Sequence, residues 1–429
     1  MKTQEAPNGY LFSRGYANYV FILLFLLYMF DYVDRMVLSS LFPFIKADWH
    51  ISDAHLGMLG AALKISIVLL TFPVSILIDR WSRKRMIAGM AIIWSLATAA
   101  CAITKSFGQL MASRVIIGAG EAGYAPGGTA MISAVYPERK RSMVMGIWNA
   151  SIPIGIALGM IAGGHIAAAY GWKHAFGLVA IPGFIIAILF FFIKDYKTVD
   201  LKQYSNGSKI PEQPMRFKEV VKDFLGKRSL ILTYLGFAFV IYVTDSILYW
   251  LPSYFSRVQG VPMEKAGMKA GIVLLLALIG APLGGYLVDR WRKSYAPARL
   301  VFPAITTILS AFVMFLAFTV FTGSMQYKVL LLMGILVMAF VAGAAAVTQD
   351  VVHPGLRAVS YSLAVVIQNA AGAAGTVLTG VVSDRTNIQT AMASLPVSLV
   401  IAAALFFAGS FYYKRDYDKV VKVSLEVES

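Results

Sequence analysis

Two short charged loops decide the fold of this chain: Ser75-Ile-Leu-Ile-Asp79-Arg80-Trp-Ser-Arg83-Lys-Arg85 and Gly285-Tyr-Leu-Val-Asp289-Arg290-Trp-Arg-Lys293. Each loop lies between two long apolar stretches, and Asp79 and Asp289 are 210 residues apart. A charged junction that recurs once per half is typical of a membrane protein that arose by duplication of a helical bundle. We therefore expect two equivalent halves.

The composition excludes an ordinary water-soluble domain. The 429 residues are 58% hydrophobic and 14% charged, with a mean hydropathy of +0.70, whereas soluble domains average about 25% charged residues. Apolar runs of about 20 residues recur along the chain, and each is long enough to cross a hydrocarbon core about 30 Å thick as a helix. These runs lack the alternation with period two that a transmembrane β-barrel requires.

The apolar runs predict an all-α membrane protein with twelve transmembrane helices in two pseudo-symmetric six-helix bundles. A long polar stretch at residues 194–228 predicts a cytoplasmic linker between an N-terminal bundle, residues 1–193, and a C-terminal bundle, residues 229–413; residues 414–429 form a cytoplasmic tail. The predicted crossings are 17–42, 55–78, 86–104, 107–135, 142–170, 174–193, 229–255, 265–288, 299–321, 328–349, 358–383 and 389–413.

The basic residues are placed as in a membrane protein. The formal net charge is +16, and 27 of the 38 Lys and Arg residues fall on one side of the predicted membrane, in seven separate segments. By the positive-inside rule, that side is cytoplasmic, and both termini lie on it. We therefore expect a multi-pass protein of the plasma membrane, which in a bacterium is the inner membrane. Nucleic-acid binding requires a contiguous basic surface, so we expect a lipid bilayer and no nucleic acid as partner.

A second repeat links the fifth and eleventh predicted helices. Asn149 precedes Gly155 by six residues in one, and Asn369 precedes Gly375 by six residues in the other. This equal spacing supports a six-plus-six architecture independently of hydropathy.

Twelve crossings, a basic middle linker and the DRxxRK-type loops resemble the major facilitator superfamily of secondary transporters. Asp31-Tyr-Val-Asp34-Arg35, the segment from Arg114 to Pro126 that contains Glu121 and Tyr124, and Ile152-Pro-Ile-Gly155 resemble its spinster-like branch. Sugar-acid and organic-anion symporters share the Asp-Arg pair and the Arg-to-Glu spacing. The resemblance implies a transporter that works by rocking two halves around a central site, usually as a monomer. Asp31 and Lys64 depart from the branch pattern.

Ionisable residues within the predicted helices are the candidate site. Each costs roughly 2.5–3.5 kcal/mol at the centre of a bilayer, so each needs a partner or a wet cavity. A rise of 1.5 Å per residue places four of them, on helices 1, 2, 4 and 7, in one layer about 5 Å thick. The full set is Asp31, Asp34, Arg35, Lys64, Arg114, Glu121 and Asp245.

Helical spacing lets these charges share one cavity. Arg114 and Glu121 are seven residues apart, and Asp31 and Arg35 are four apart, so each pair lies on one helix face. If all seven groups were ionised, their net charge would be −1, and we expect one carboxyl, Asp34 or Glu121, to carry the coupling proton. The resemblance gives proton coupling and substrate contact to Asp34, Arg114 and Glu121. The alternative is a purely structural ion pair between Asp34 and Arg114.

Cations in this layer favour an anionic substrate, because ammonium and guanidinium groups pair with carboxylate or phosphate. Lys64 has an alternative role as the partner of Asp34 or Asp245. The predicted substrate is a small organic anion or an anionic amphiphile; the alternative is an exporter or a lysolipid- or sphingoid-type lipid carrier. The predicted substrate-binding residues are Asp31, Arg35, Lys64, Arg114, Tyr124, Asn149, Asp245, Tyr249 and Asn369.

Other classes of membrane protein find less support in the sequence. The five histidines are scattered without a His-Glu-x-x-His motif, and no G-x-x-x-x-G-K-[ST] phosphate-binding loop occurs. We therefore expect a carrier without enzyme activity, cofactor or metal. The duplicated loops are predicted to tie helix ends together and to gate the transporter, or else to anchor to lipid phosphates, through Asp79, Arg80, Arg83, Asp289 and Arg290.

Overall fold

The computed structural model describes residues 10–80, 82–195, 223–353 and 356–420, which are mostly α-helical and contain no β-strand. The N-terminal half contains α1 (Arg14–Trp49), α2 (Asp53–Arg80), α3 (Arg83–Cys101), α4 (Phe107–Glu121), α5 (Tyr124–Val135), α6 (Glu138–Tyr170) and α7 (Trp172–Phe191). The C-terminal half contains α8 (Arg228–Gln259), α9 (Met263–Leu275), α10 (Ala277–Arg292), α11 (Ala298–Phe315) with a π-helical turn (Leu316–Val320), α12 (Gly323–Leu336), α13 (Val341–Asp350), α14 (Arg357–Arg385) and α15 (Ile388–Asp418).

Each predicted crossing corresponds to one helix or to two consecutive helices. The fourth, eighth and tenth crossings are interrupted, at residues 122–123, 276 and 337–340. Within the described ranges, nine helical stretches have the length and composition of a membrane span. The stretches that fall short are α1, α3 and the pair α4 and α5. Of these, α1 and α4 carry charges of the predicted site, which lower their apolar character.

Local signals in the sequence fix several helix ends. Ser13, Ser82 and Ser106 precede α1, α3 and α4, and each side-chain oxygen accepts a hydrogen bond from a main-chain N–H of the first turn. Such caps satisfy donors that have no partner within the helix. At the other end of α1, His50 takes a left-handed conformation with φ of 51° and ends the helix.

The described residues divide into two compact units. The first comprises Met1–Gln203, Leu248–Leu275 and Thr376–Ile388, and the second Tyr204–Ile247, Leu276–Gly375 and Gln389–Ser429, as far as these ranges are described. The bundle boundaries expected from the sequence stay a prediction. Residues 196–222 of the expected linker and 421–429 of the expected tail lie outside the described part of the chain.

Large apolar side chains lie on the surface, and several charged side chains are buried. Phe72 and Ile103 are 76% and 79% exposed, whereas Asp31, Arg114 and Glu121 are buried within a mostly apolar interior. An apolar exterior with buried charges suits a chain whose solvent is lipid, since lipid tails do not solvate charge.

Glycines let helices approach closely at equivalent places in the two sequence halves. A Cβ atom on Gly155 of α6 would lie 2.3 Å from the main-chain oxygen of Met29 on α1, and one on Gly375 of α14 would lie 2.3 Å from that of Tyr242 on α8. Only glycine fits either contact without moving backbone. The Asn-to-Gly repeat in the sequence therefore marks equivalent packing in the two halves. The fifth predicted helix packs on the first, and the eleventh packs on the seventh.

Replacing Gly155 with Ala tests this contact. The added methyl meets backbone, so we expect Gly155→Ala to destabilise the protein by about 1–3 kcal/mol, the usual cost of overpacking. Thermal unfolding of the detergent-purified protein measures the change. Gly146→Ala is the control on the same helix, because a Cβ there has no neighbour within 4 Å; it should be neutral or slightly stabilising. Equal unfolding temperatures for both variants would contradict the assignment.

Candidate functional site

Arg35 of α1 holds two carboxylates with one guanidinium. Its Nη2 lies 2.9 Å from Asp31 Oδ2 and donates a hydrogen bond of 3.1 Å to Asp31 Oδ1. Its Nε lies 2.9 Å from Glu121 Oε2 on α4, as an ion pair without hydrogen-bond geometry. Both carboxylate side chains are fully buried, whereas that of Arg35 is 17% exposed. The structure thus brings together three residues that were predicted from the sequence.

Asp34 and Arg114 meet through the main chain. Arg114 Nη1 donates to the Asp34 carbonyl oxygen at 3.3 Å, and the Asp34 carboxylate accepts a hydrogen bond of 3.3 Å from Thr98 on α3. Among the described residues, Asp34 makes no ion pair within 4.0 Å, and Arg114 Nε and Nη2 have no hydrogen-bond partner. Arg114 is fully buried, so two of its donor atoms are left unused inside the protein.

Aromatic side chains enclose the charges on one side. Tyr28 of α1 stacks on Trp148 of α6 with ring centroids 4.3 Å apart, and Tyr124 of α5 lies 5.4 Å from Tyr28. The Tyr124 hydroxyl donates to the Leu24 carbonyl at 2.5 Å. The Arg35 guanidinium lies 4.7 Å from the ring centroid of Tyr32, a cation–π contact. Tyr124 therefore takes part in the walls of the charged cluster.

The remaining charged and aromatic candidates lie in different places. Lys64 on α2 is half-buried and interacts electrostatically with Tyr32. Tyr249 is fully buried in the first compact unit, where its ring lies 6.1 Å from that of Phe42. Asp245 is buried in the second compact unit.

The two candidate asparagines bind their own helices. Asn149 is exposed and donates to the Met145 carbonyl at 2.9 Å, and Asn369 is half-buried and donates to the Val365 carbonyl at 2.9 Å. Each amide contacts the residue four positions earlier, so the two repeat positions share a local arrangement. This arrangement engages the amide nitrogen and leaves a substrate role for either residue as a prediction.

The second charged loop is part of an ion network in the second unit. Arg299 Nη1 lies 3.1 Å from Asp289, its Nε lies 3.3 Å from Asp350, and Arg292 lies 3.6 Å from Asp350. Tyr413 donates to Asp350 at 3.0 Å. Arg290 is exposed. Asp350 at the end of α13 was not predicted, because a single acid at the end of a predicted helix has no local pattern.

The first charged loop is described only in part. The side chains of Asp79 and Arg80 lie outside the described atoms, and Arg83 is half-buried at the start of α3. The comparison of the two loops as gates therefore rests on the sequence.

Asp53, the first residue of α2, joins helix ends that are distant in sequence. Its carboxylate contacts Arg257 Nη1 of α8 at 2.7 Å, Lys46 Nζ of α1 at 2.6 Å and Ser383 Oγ of α14 at 2.6 Å. Asp384 in turn accepts from the main-chain N–H groups of residues 53 and 54, both at 2.8 Å. All these residues belong to the first compact unit. We call them the Asp53 cluster.

Sequence reasoning missed the Asp53 cluster. An acid at the first position of a helix is common because it complements the helix dipole, and the partners of Asp53 lie up to 331 residues away. To predict this cluster from the sequence, one would have to match acidic residues in the first half with basic residues in the second half.

No group of three or more His, Cys, Asp or Glu side chains in the described ranges is arranged to hold a metal ion.

Comparison with known proteins identifies the family. The model of the Major Facilitator Superfamily matches residues 24–376. The chain belongs to the major facilitator superfamily. It is therefore an integral, multi-pass membrane transporter of a small-molecule substrate, related to transporters rather than to enzymes.

Its relatives include a hexuronate transporter and spinster proteins. The hexuronate transporter of Bacillus subtilis (strain 168) is 27% identical over 399 residues, which cover 90% of this chain and 92% of that protein. Protein spinster homolog 1 of Xenopus tropicalis is 26% identical over 419 residues, 92% of this chain and 79% of the other. These relatives match the resemblance read from the sequence to the spinster-like branch and to sugar-acid symporters.

A solved structure supports the fold. A bacterial homolog of the human lysosomal transporter Spinster, crystallised in an inward-facing and unoccupied conformation, superposes with a TM-score of 0.82 at 22% identity. The match covers 94% of this chain and 99% of that one. The all-α fold with twelve helical spans is that of the superfamily.

Removing the Arg35 guanidinium tests the central interaction. Arg35→Gln leaves two buried carboxylates without their counter-charge, so we expect a loss of about 3–5 kcal/mol in the free energy of unfolding. Chemical or thermal unfolding in detergent measures it. Arg385→Gln, at an exposed arginine, is the control and should change stability by less than about 0.5 kcal/mol. A variant Arg35→Gln as stable as wild type would refute the ion-pair assignment.

A double-mutant cycle tests the Asp53 cluster. Asp53→Asn and Arg257→Gln should each destabilise the protein, and together they should deviate from additivity by about 0.5–3 kcal/mol, as expected for residues in contact. Unfolding of the two single variants and the double variant gives this coupling. The matched cycle of Asp53→Asn with Arg85→Gln, at an exposed arginine beyond the opposite end of α2, should be additive. Additivity in both cycles would show that the contact contributes nothing.

Proposed function

We propose that this superfamily member is a proton-coupled symporter for a small organic anion, working by alternating access. The observation that carries the proposal is the unused edge of the Arg114 guanidinium within a buried cluster of three carboxylates and two guanidiniums.

Arg114 is suited to a carboxylate ligand. Nε and Nη2 form the side edge of a guanidinium, which binds the two oxygens of one carboxylate with parallel hydrogen bonds. In Arg114 both atoms are buried and have no hydrogen-bond partner among the described residues. A buried charged donor without an acceptor is costly, so the site is incomplete without an anion. We therefore assign the substrate carboxylate to this edge.

The charge of the cluster favours joint binding of a proton and an anion. With all groups ionised, Asp31, Asp34 and Glu121 against Arg35 and Arg114 leave a net charge of −1. A substrate anion would raise this to −2 in a buried site, which is strongly unfavourable. A proton on one carboxyl offsets the added charge, and by thermodynamic linkage each ligand then strengthens the binding of the other.

The relatives of this chain support a narrower class of anionic substrate. The relative from Bacillus subtilis is a hexuronate transporter that aligns over 92% of its length, and a hexuronate carries one carboxylate on a polar ring. Sugar acids of this kind are our proposed substrate class. The lipid-carrier alternative is favoured by the spinster relatives and by the row of aromatic rings at Tyr28, Tyr124 and Trp148.

Membrane orientation and gating complete the proposal. The distribution of basic residues supports an orientation with both termini on the cytoplasmic side of a bacterial inner membrane. The proposal includes six-helix bundles at 1–193 and 229–413 and a protein that acts as a monomer. In this orientation the Asp53 cluster lies at the outer side. We assign it the role of holding outer helix ends closed, and the loop at Asp289 and Arg290 a matching role at the inner side.

Uptake into proteoliposomes tests the function. Radiolabelled glucuronate should accumulate when the outside is made acidic, and collapse of the pH gradient with a protonophore should abolish accumulation. Arg114→Gln should reduce uptake by at least about 100-fold, since a charge-assisted bidentate contact of roughly 3 kcal/mol is lost. Arg385→Gln should transport normally.

Two results would contradict the proposal. Glucuronate uptake that is indifferent to the pH gradient would exclude proton symport. Transport of a fluorescent lysophospholipid by vesicles that do not transport glucuronate would favour the lipid-carrier alternative. Thermal unfolding of Arg114→Gln shows whether the variant is folded.

A further inference from the structure

Two carboxyl groups share one edge of the Arg35 guanidinium. Nε and Nη2 belong to the same edge, and such an edge ordinarily receives both oxygens of a single carboxylate. Here Nη2 contacts Asp31 at 2.9 Å and Nε contacts Glu121 at 2.9 Å. Two separate carboxyl groups, from α1 and α4, therefore converge where one would normally bind.

This convergence places the two carboxyls side by side, because their oxygens face neighbouring nitrogens of one guanidinium, and both side chains are fully buried. Asp31 Oδ2 and Glu121 Oε2 contact Arg35 as ion pairs without hydrogen-bond geometry, and Glu121 Oε1 has no hydrogen-bond partner in the described part of the chain. Two adjacent carboxyl groups in a buried site are not ionised together, and a shared proton supplies a hydrogen bond between them.

The surrounding groups do not remove this need for a proton. The positive charge of Arg114 on α4 attracts the Glu121 carboxylate, and the negative charge of Asp34 on α1 repels it. The neighbouring helix α3 contributes Thr98, which donates to Asp34 rather than to the pair. The charge of Lys64 on α2 interacts electrostatically with Tyr32. Tyr32 and Tyr28 are the remaining titratable neighbours on α1. Tyr124 of α5 donates its hydroxyl to a main-chain carbonyl, and α6 contributes the uncharged Trp148.

We infer that Asp31 and Glu121 together hold the coupling proton across Arg35, so that Asp31 is a proton-carrying residue. The inference rests on the proposed proton symport and deepens it, because the sequence analysis gave the proton to Asp34 or Glu121 and gave Asp31 to the substrate. The proton binds one carboxylate oxygen and is hydrogen-bonded to the other group. On release it passes to water on the side that is open.

The shared proton also connects chemistry to movement. With the proton, the two carboxyls and Arg35 sum to zero charge and hold α1 and α4 together. Without it, the carboxylates repel each other and only one can keep the edge of Arg35. Loss of the proton thus weakens the contact of α1 with α4 at the centre of the cluster.

Replacing Asp31 with Asn removes the carboxyl that would share the proton but keeps the contact with Arg35. The carboxamide keeps an acceptor for Arg35 and places an N–H donor toward Glu121, so Asp31→Asn imitates the protonated pair permanently. Glucuronate counterflow, which needs no net proton movement, should persist in this variant. Accumulation driven by an imposed pH gradient should fall by about tenfold or more. Asp418→Asn, at an exposed acid near the C-terminal end of α15, should leave both activities unchanged.

Infrared spectroscopy provides a readout that does not depend on substrate. The difference spectrum between low and high pH should contain a protonated-carboxyl C=O band in wild type. Asp31→Asn and Glu121→Gln, each checked for folding by thermal unfolding, should both remove or shift this band, and Asp418→Asn should keep it. Because the two variants change opposite members of the pair, either folded variant is sufficient for the test.

The failures of the two proposals are distinguishable. If wild type accumulates glucuronate with a pH gradient while Asp31→Asn does so equally, or if the infrared band is unchanged in Asp31→Asn and Glu121→Gln, the shared proton is overturned and symport stands. If wild type shows no proton-driven uptake, the proposed function fails, and the infrared band alone decides whether Asp31 and Glu121 share a proton.

Discussion

Arg35 meets Asp31 and Glu121 in an interior that is surrounded by apolar side chains, and the arrangement of α1 and α4 depends on this contact. Charges that are removed from water must be neutralised within the protein. Three carboxylates and two guanidiniums in one cluster achieve this only in part. The residual charge and the unused edge of Arg114 are the physical basis on which we propose that a proton and an anion bind.

Close helix packing surrounds the charged cluster. A Cβ atom on Gly118 of α4 would lie 2.4 Å from the main-chain oxygen of Leu63 on α2, and Gly155 of α6 meets α1 in the same way. These glycines hold α4 close to α2 and α6 close to α1, so the helices that carry Glu121 and Asp31 are each packed tightly against a neighbour.

The same balance of charge is repeated at helix ends. Asp53 forms ion pairs with Arg257 and Lys46, and Asp350 forms ion pairs with Arg292 and Arg299. The basic side chains of these pairs are 11–37% exposed and Asp350 is 22% exposed, whereas Asp31 and Glu121 are fully buried, so water screens the helix-end pairs more than the pairs of Arg35. In the function that we propose, the helix-end pairs break and re-form, and the central cluster binds the ligand and the proton.

The sequence by itself determined the all-α membrane fold, the superfamily and the presence of charged residues within the helices α1 and α4, because hydropathy, helical spacing and repeated loops are local properties of the chain. Only the tertiary structure decided how those charges pair. It placed Asp31 beside Glu121, kept the Asp34 carboxylate apart from Arg114, and joined Asp53 to Arg257. Such pairings depend on the approach of helices that are far apart in sequence, which no periodicity within one helix encodes.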